Sequence, residues 1–190
     1  LHMCYQSAAV FIHPQELWVE TETEAGVDIT VPQIGYAESE NKEWTAKRVE
    51  GSREVVLRKG SNNSPFQSFN GETMSFGLSI FISSNALVLV IGEPWTDFKG
   101  MIDVGSVHTY YRDVANAKFR RQERFDGEES GGWFGAEVSM SLNGLFMVVS
   151  APKINEISSD NGSLSFYTRI SMDVGFTLEQ KIVGTQNKER

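Results

Sequence analysis

Apolar and polar residues follow one another in short blocks along the second half of the chain, and the blocks occur twice. The stretch FGLSIFISSNALVLVIGEP at 76–94 has a counterpart, FGAEVSMSLNGLFMVVSAP, at 134–152. Each copy continues into two further apolar segments, GSVHTYYR and FRRQERFDG in the first and GSLSFYTR and FTLEQKIVG in the second. Because a fixed period indicates a repeat architecture, we predict two consecutive structural units.

The four segments of each unit predict four short β-strands, since they are rich in Val, Ile, Leu, Phe and Tyr and are separated by turn residues. Ser84-Asn85 and Asn143-Gly144 predict a tight type I′ hairpin between the first two strands. ALVLVIG at 86–92 predicts a strand covered on both faces, whereas GSVHTYY at 105–111 alternates and is expected nearer to solvent. Four antiparallel strands graded in this way predict an all-β fold of propeller blades.

Positions 1–60 carry a weaker form of the pattern. The interval that separates the two copies, counted back from Phe76, reaches Trp18, and ELWVETET, GVDITVP, EWTAKRV and EVVLRKG would form a degenerate blade that ends near Gly60. CYQSAAVFI at 4–12 would be a stray outer strand of an earlier blade. We therefore predict a degenerate blade and this stray strand within 1–60, one blade at 61–127 and another at 128–190. Since propellers need about four to eight blades, we expect part of a larger propeller, unless several copies close the ring.

Composition and charge exclude some functions. Lys and Arg total 17 against 25 Asp and Glu, for a net charge of -8, so nucleic acid is not an expected partner. No apolar run approaches the roughly 20 residues of a membrane-spanning helix, and we predict no membrane span in this segment. The single cysteine, Cys4, cannot form an internal disulfide and gives no firm compartment.

The strings FG, then GEP or SAP, then GSV.TYY or GSL.FYT resemble the FG-GAP repeat, and the resemblance covers 76–184. That repeat builds the seven-bladed propeller of integrin α-chain heads and many propellers of secreted or surface proteins. The resemblance implies that Phe-Gly starts the innermost strand and that Gly-x-Pro ends the second strand. The repeat-defining structural residues are Phe76, Gly77, Gly92, Pro94 and Gly105 in the first copy and Phe134, Gly135, Pro152 and Gly162 in the second, where Ser150 replaces a glycine.

Calcium-binding members of this family carry a D-x-D-x-D-G-like loop between the first two strands, because calcium prefers carboxylate oxygens. Here the corresponding residues are SSNA at 83–86 and SLNG at 141–144, and neither stretch has a carboxylate. The resemblance is therefore to the calcium-free variety, and we expect neither a metal nor a cofactor.

The longest irregular connections, WTDFKGMIDV at 95–104 and KINEISSDN at 153–161, follow the second strand of each unit. On a propeller they would emerge on one face, where binding residues are common. We select Trp95, Asp97, Phe98 and Asp103 as a candidate contact patch; alternatively, Trp95 folds back over the blade edge. The nearby acidic residues, with Glu93, could hold a cation or form a solvated acidic rim.

No catalytic signature is present: the chain lacks a nucleophile elbow, an HExxH helix, a Walker loop and a dinucleotide fingerprint. His2 and His13 are isolated, and His108 on the predicted third strand is expected to face solvent or a cross-strand partner. Trp133, in the Gly-rich linker DGEESGGW at 126–133, is expected to pack between blades. We expect no enzymatic activity from this segment.

These patterns together predict a rigid platform for protein or glycan binding in an extracellular or cell-surface setting. Two N-x-S sequons, at Asn62 and Asn161, add slightly to the argument for secretion. Two alternatives stay open. The chain could be a structural subunit whose propeller is completed by neighbouring subunits, or the accessory propeller of a hydrolase whose catalytic domain lies outside this segment.

Overall fold

The computed structural model describes residues 11–13, 16–18, 34–60, 64–141, 143–152 and 162–184, which form strands and turns without a helix. Accordingly, these residues include no helix long and apolar enough to cross a membrane. The chain divides into two compact units, Leu1–Pro32 and Gln33–Arg190. In the first unit β1 (Phe11–His13) pairs antiparallel with β2 (Glu16–Trp18). The predicted strand GVDITVP, most of CYQSAAVFI and both sequon asparagines lie outside the described residues.

The second unit contains three four-stranded antiparallel sheets, each with its strands paired in chain order. Sheet A comprises β3 (Tyr36–Glu38), β4 (Trp44–Arg48), β5 (Glu54–Lys59) and β6 (Pro65–Asn70). Sheet B comprises β7 (Ile80–Ile82), β8 (Val88–Glu93), β9 (Ser106–Tyr111) and β10 (Arg120–Asp126). Sheet C comprises β11 (Val138–Met140), β12 (Phe146–Ala151), β13 (Ser163–Thr168) and β14 (Thr177–Val183). The all-β prediction with blade-like sheets is confirmed.

The first strands of the three sheets lie beside one another, since β7 contacts both β3 and β11. Sheets A and B share one hydrophobic cluster, in which Trp44 and Leu57 meet Leu89 and Ile91. Sheets B and C share a second cluster. Sheet B is therefore covered on both faces, and inner strands gathered at one side are typical of propeller blades.

The same kind of polar turn joins the first two strands of sheets A, B and C. A serine hydroxyl accepts the N–H of the first residue of the second strand, in the pairs Ser39–Trp44 (3.0 Å), Ser83–Val88 (2.9 Å) and Ser141–Phe146 (3.0 Å). The same hydroxyl donates to the side-chain oxygen of an asparagine two positions on, at Asn41, Asn85 and Asn143. The sequence signature of this turn is therefore Ser-x-Asn.

The predicted type I′ hairpin is wrong at this position. The N–H of Ser83 bonds to the carbonyl of Val88 at 3.0 Å, so the loop between them has four residues rather than two. In it only Ala86 has a positive φ, of 54°. The asparagine instead uses its side chain, which accepts the N–H of Leu87 at 3.0 Å.

The predicted boundary at Gly60 is also wrong. EWTAKRV and EVVLRKG contain β4 and β5, but β5 pairs with β6 beyond Gly60. Glu16–Trp18, predicted as the first strand of this blade, pairs with β1 instead. The Ser-x-Asn turns show that Trp44, Val88 and Phe146 are equivalent residues of the three sheets. The interval from Trp44 to Val88 is shorter than the interval from Val88 to Phe146. The period shortens because sheet A lacks the long connection that joins β8 to β9 and because the connections before and after β6 are also shorter than those of β10.

β8 is buried at every position, as predicted. The expectation that the next strand lies nearer to solvent is wrong for β9, which is buried from Ser106 to Tyr110 because sheets A and C cover both of its faces. β13, which has a neighbouring sheet on one face only, alternates as expected.

The Phe-Gly pairs lie in the turns before β7 and β11 rather than at the start of those strands. Phe76 is fully buried, and Gly77 has a φ of +81°. A Cβ on Gly77 would lie 2.4 Å from Cγ2 of Val55 in sheet A. A Cβ on Gly92 would lie 2.1 Å from the carbonyl oxygen of Gly135. Both glycines thus allow a close approach of neighbouring sheets.

Two buried arginines follow the third strands of sheets B and C. Nε of Arg112 donates to the carbonyl of Ala86 at 2.7 Å, and its guanidinium lies 4.0 Å from the Trp44 ring centroid and 4.3 Å from that of Phe119. Nε of Arg169 donates to the carbonyl of Gly144 at 2.8 Å in the same way. Each arginine therefore binds the left-handed residue of its own sheet's turn, and Arg112 also contacts the preceding sheet.

Candidate functional site

The connection between β8 and β9 folds into a small hairpin of its own. Phe98 and Met101 exchange both backbone hydrogen bonds at 3.0 Å. The two residues between them, Lys99 and Gly100, have positive φ values of 51° and 80°. This is the type I′ geometry, which fixes the tip of the connection.

Two carboxylates lie at the base of this hairpin. Oδ1 of Asp97 accepts the N–H of Asp103 at 2.9 Å. The pKa of Asp103 is raised, first by partial burial and then by the nearby charge of Asp97. The base of the connection is consequently an acidic position that favours a positively charged neighbour.

The linker between β10 and β11 runs along this connection and is bonded to it. Gly131 donates its N–H to the carbonyl of Ile102 at 2.8 Å, and Trp133 donates to the carbonyl of Asp103 at 3.2 Å. The hydroxyl of Ser130 donates to the carbonyl of Ile102 at 2.9 Å. These bonds bring the Trp133 ring to Trp95, with centroids 6.2 Å apart and planes at 62°.

We call the residues Trp95, Phe98, Ile102 and Trp133 the aromatic loop surface. Trp95 is 41% exposed and Ile102 is 64% exposed, while Phe98 and Trp133 are half-buried. The predicted residues Trp95, Asp97, Phe98 and Asp103 all belong to this one connection. Trp95 keeps much of its surface exposed, and Trp133 contacts it from the linker. Nothing in the sequence indicates that contact, because it depends on backbone bonds between distant segments.

A cleft between sheets B and C adjoins the same linker. Three of its charged lining residues form ion pairs: Lys181 binds Glu128 at 2.7 Å, and Asp126 binds Arg124, which lies outside the lining. Burial raises the pKa of Tyr167, whose ring also lines the cleft. The full lining consists of Val104, Asp126, Gly127, Glu128, Glu129, Gly132, Phe134, Ala151, Ser163, Ser165, Tyr167, Leu178 and Lys181.

His108 is 3% exposed, so the expectation that it faces solvent is wrong, while the cross-strand alternative holds. Its Nδ1 lies 2.9 Å from Nη2 of Arg121, which can only donate, so Nδ1 accepts. Nε2 therefore carries the proton and donates to Oε2 of Glu93 at 2.9 Å. Both side chains are buried, and Glu93 thus lies apart from the acidic rim in which we had placed it.

Within the described ranges, no three His, Cys, Asp or Glu side chains are grouped so that they could hold a metal ion. His2 and Cys4 lie outside those ranges, as does the second long connection at 153–161.

Comparison with known proteins identifies the fold but not a family. No family model matches the chain, and no curated protein matches it. The FG-GAP resemblance therefore stays a prediction.

Several solved structures share the fold. The Pseudomonas aeruginosa periplasmic gluconolactonase PpgL is 16% identical, with a TM-score of 0.54 over 77% of this chain and 38% of its own. The β-propeller domain of Cps50 (Swd1) from Myceliophteria thermophila is 9% identical, with a TM-score of 0.52 over 78% of this chain and 42% of its own. A Bacteroides uniformis protein provisionally named a 6-phosphogluconolactonase is 14% identical, with a TM-score of 0.55 over 92% of this chain and 48% of its own. The chain thus spans less than half the length of these structures, and the likeness establishes a partial β-propeller.

Proposed function

We propose that this chain is a non-enzymatic propeller module that binds a protein partner through the aromatic loop surface. The observation that carries the proposal is Trp95, which is 41% exposed although its ring contacts Trp133. Exposed aromatic side chains held in place by a rigid scaffold are typical of binding surfaces, because little conformational entropy is lost when a partner covers them.

The charge beside this surface favours a partner with basic side chains. Asp97 and Asp103 lie in the same connection as Trp95, and the raised pKa of Asp103 reflects burial and the charge of Asp97. A Lys or Arg of a partner would interact with both carboxylates and with an indole face. Such a cation–π contact contributes about 0.5–1 kcal/mol at an exposed site. The net charge of -8 would also speed association with a basic partner.

The absence of catalysis is part of the proposal. Both side chains of the pair His108–Glu93 are buried within the described part of the chain, so a substrate could not reach them. Some proteins of similar fold are named as lactonases, so a hydrolase activity is the competing function. Assays of lactone hydrolysis with the purified chain would distinguish the two, and turnover above the uncatalysed rate would contradict our proposal. An extracellular or cell-surface location remains part of the proposal as well.

Binding to short Lys- and Arg-rich peptides containing an aromatic residue, measured by tryptophan fluorescence and calorimetry, tests the proposal. We expect these peptides to bind, acidic peptides not to bind, and affinity to fall as salt increases. The double variant Trp95→Ala, Phe98→Ala should weaken binding by about tenfold or more. Val114→Ala, at a 61% exposed position in the β9–β10 connection, is the matched control.

The double variant should melt within a few degrees of the unmodified chain. A large fall in melting temperature would show that the aromatic residues serve packing instead. Equal binding by the double variant, or binding of glycans on an array without binding of basic peptides, would also contradict the proposal.

A further inference from the structure

Neighbouring sheets are joined by a hydrogen bond that repeats. Oε1 of Gln67, on β6, accepts the N–H of Phe119 at 2.7 Å, and its Nε2 donates to the carbonyl of Phe119 at 2.9 Å. Oε2 of Glu123, on β10, accepts the N–H of Phe176 at 2.8 Å. In both cases a side chain on the fourth strand of one sheet binds the backbone just before the fourth strand of the next.

Gln180, on β14, occupies the same position in sheet C. Gln67 lies opposite Leu57 and Glu123 lies opposite Thr109, each beside a shift in strand register. Gln180 lies opposite Phe166 beside the corresponding shift. Gln180 is exposed, so sheet C presents a third copy of the group that binds the next sheet.

The residues around Gln180 repeat the apolar face as well. In sheet A the side facing sheet B carries Trp44, Ala46, Val55, Leu57 and Phe69, all buried. In sheet B the side facing sheet C carries Val88, Val90, Val107 and Phe125, with the buried Thr109 at the position of Leu57. The same positions of sheet C, which we call the open face, are Phe146, Val148, Leu164, Phe166 and Ile182. Phe146, Leu164 and Ile182 are 39%, 42% and 47% exposed.

The opposite end of the unit does not match this face. The outer side of sheet A carries the polar residues Thr45, Lys47, Arg58 and Ser68 around one buried valine, Val56, and Lys47 and Ser68 are exposed. Gly60 in sheet A occupies the position that the buried Arg112 has in sheet B. The N–H of Gly60 bonds to the carbonyl of Glu43, and the N–H of Arg112 bonds in the same way to the carbonyl of Leu87. A second copy stacked head to tail would therefore place a polar side against an apolar one.

We propose that the open face and Gln180 form the docking surface for a further four-stranded antiparallel sheet, supplied by polypeptide other than residues 1–190. That sheet would present apolar residues on its second and third strands and an arginine after its third strand. An aromatic residue before its fourth strand would offer its backbone N–H to Gln180. Sheet C presents all of these features to sheet B, through Met147, Val149, Tyr167, Arg169 and Phe176. The proposal concerns a surface separate from the aromatic loop surface and does not depend on it.

An extended chain tests this proposal. A second copy of residues 128–184 would be inserted after Gly184. Gly184 is equivalent to Gly127, the residue before the first copy, because its N–H bonds to the carbonyl of Gly162 at 2.7 Å and that of Gly127 bonds to the carbonyl of Gly105 at 2.9 Å. The copied sheet can then place its sheet-B-facing side on the open face. We expect the amides of the original β13 and β14 to exchange about tenfold more slowly or better in the extended chain.

Phe166→Lys in the original copy should abolish this added protection, and Gln180→Ala should reduce it. Both variants are also made in the unextended chain, where unchanged circular dichroism shows that sheet C still folds. Leu178→Ala, another exposed residue of β14 outside the open face, is the control.

An inserted unit that stays unfolded, or that folds without slowing exchange in β13 and β14, would overturn the proposal. Sedimentation of the unextended chain tests whether a second copy covers the open face instead. A stable dimer that dissociates in the Phe166→Lys variant would assign the open face to a second copy and would likewise overturn it.

Discussion

Glu93 joins β8 of sheet B to the β6–β7 connection by hydrogen bonds of its buried carboxylate. Its Oε1 accepts the N–H groups of Glu72 and Thr73, and its Oε2 accepts from His108. Burial pushes the pKa of Glu93 upward, but the hydrogen bonds from His108 and from the two backbone N–H groups outweigh burial, so the pKa is lowered. The folded state therefore favours the charged carboxylate.

Replacing this carboxylate should cost stability in a pH-dependent way. We expect Glu93→Gln to lower the free energy of unfolding at pH 7 by about 2–4 kcal/mol, because buried N–H groups lose a charged acceptor. The folded pKa lies below the unfolded value of about 4.3, so the contribution is complete above that value and is lost as pH falls through the folded pKa. Urea unfolding from neutral pH to pH ~3 measures it. Glu50→Gln, which removes an exposed carboxylate, is the control. If both variants lost the same amount of stability on acidification, the charge of Glu93 would not be what stabilises the fold.

At the scale of elements, the Ser-x-Asn turn determines where each sheet begins its second strand. In sheet B the hydroxyl of Ser83 accepts the N–H groups of Val88 and Leu87, and the side-chain oxygen of Asn85 shares the N–H of Leu87. The turn is buried in sheet B, where Ser83 is fully buried, and more open in sheet C, where Ser141 is only half-buried. The same chemistry should therefore contribute unequally in the two sheets.

Ser83→Ala should reduce the free energy of unfolding by about 1–3 kcal/mol, because the N–H of Val88 would be left unsatisfied in the interior, whereas the N–H of Leu87 keeps its bond to Asn85. Ser141→Ala should cost less, since water can reach the N–H of Phe146. Urea denaturation of both variants measures the difference. Equal costs, or a larger cost at Ser141, would mean that burial does not determine what this turn contributes.

The elements also explain what the sequence could and could not predict. The strands of sheets B and C were predictable because their apolar segments recur at one interval from Phe76 to Phe134 and from Pro94 to Pro152, which a single deletion shortens by one residue before Gly162. Sheet A was misplaced because its connections are shorter, whereas the Ser-x-Asn signature marks all three sheets regardless of loop length. The candidate site was predictable as one contiguous connection. The contribution of Trp133 could not be predicted, because it depends on backbone hydrogen bonds between the β8–β9 connection and the distant β10–β11 linker.

At the scale of the whole molecule, each sheet is stabilised by its neighbours. Sheets A and B share one core and sheets B and C share another, so sheet B belongs to both. In such an array the stability of each unit is close to the sum of its own terms and its nearest-neighbour contacts. Sheet C, with one apolar face buried and the open face exposed, lacks one of these contacts.

Native-state hydrogen exchange should therefore be graded across the unit. We expect the amides of β8, which is buried at every position, to exchange only through global unfolding, and those of β14 to exchange through local opening. β14 is exposed at every position except Lys181, whereas β10, the equivalent outer strand of sheet B, is mostly half-buried and should exchange at an intermediate rate. Exchange followed by mass spectrometry under native conditions measures this order. If the amides of β14 were protected from exchange as strongly as those of β10, the stability of an outer strand would come from its own sheet and not from neighbouring sheets. The nearest-neighbour account of this molecule would then fail.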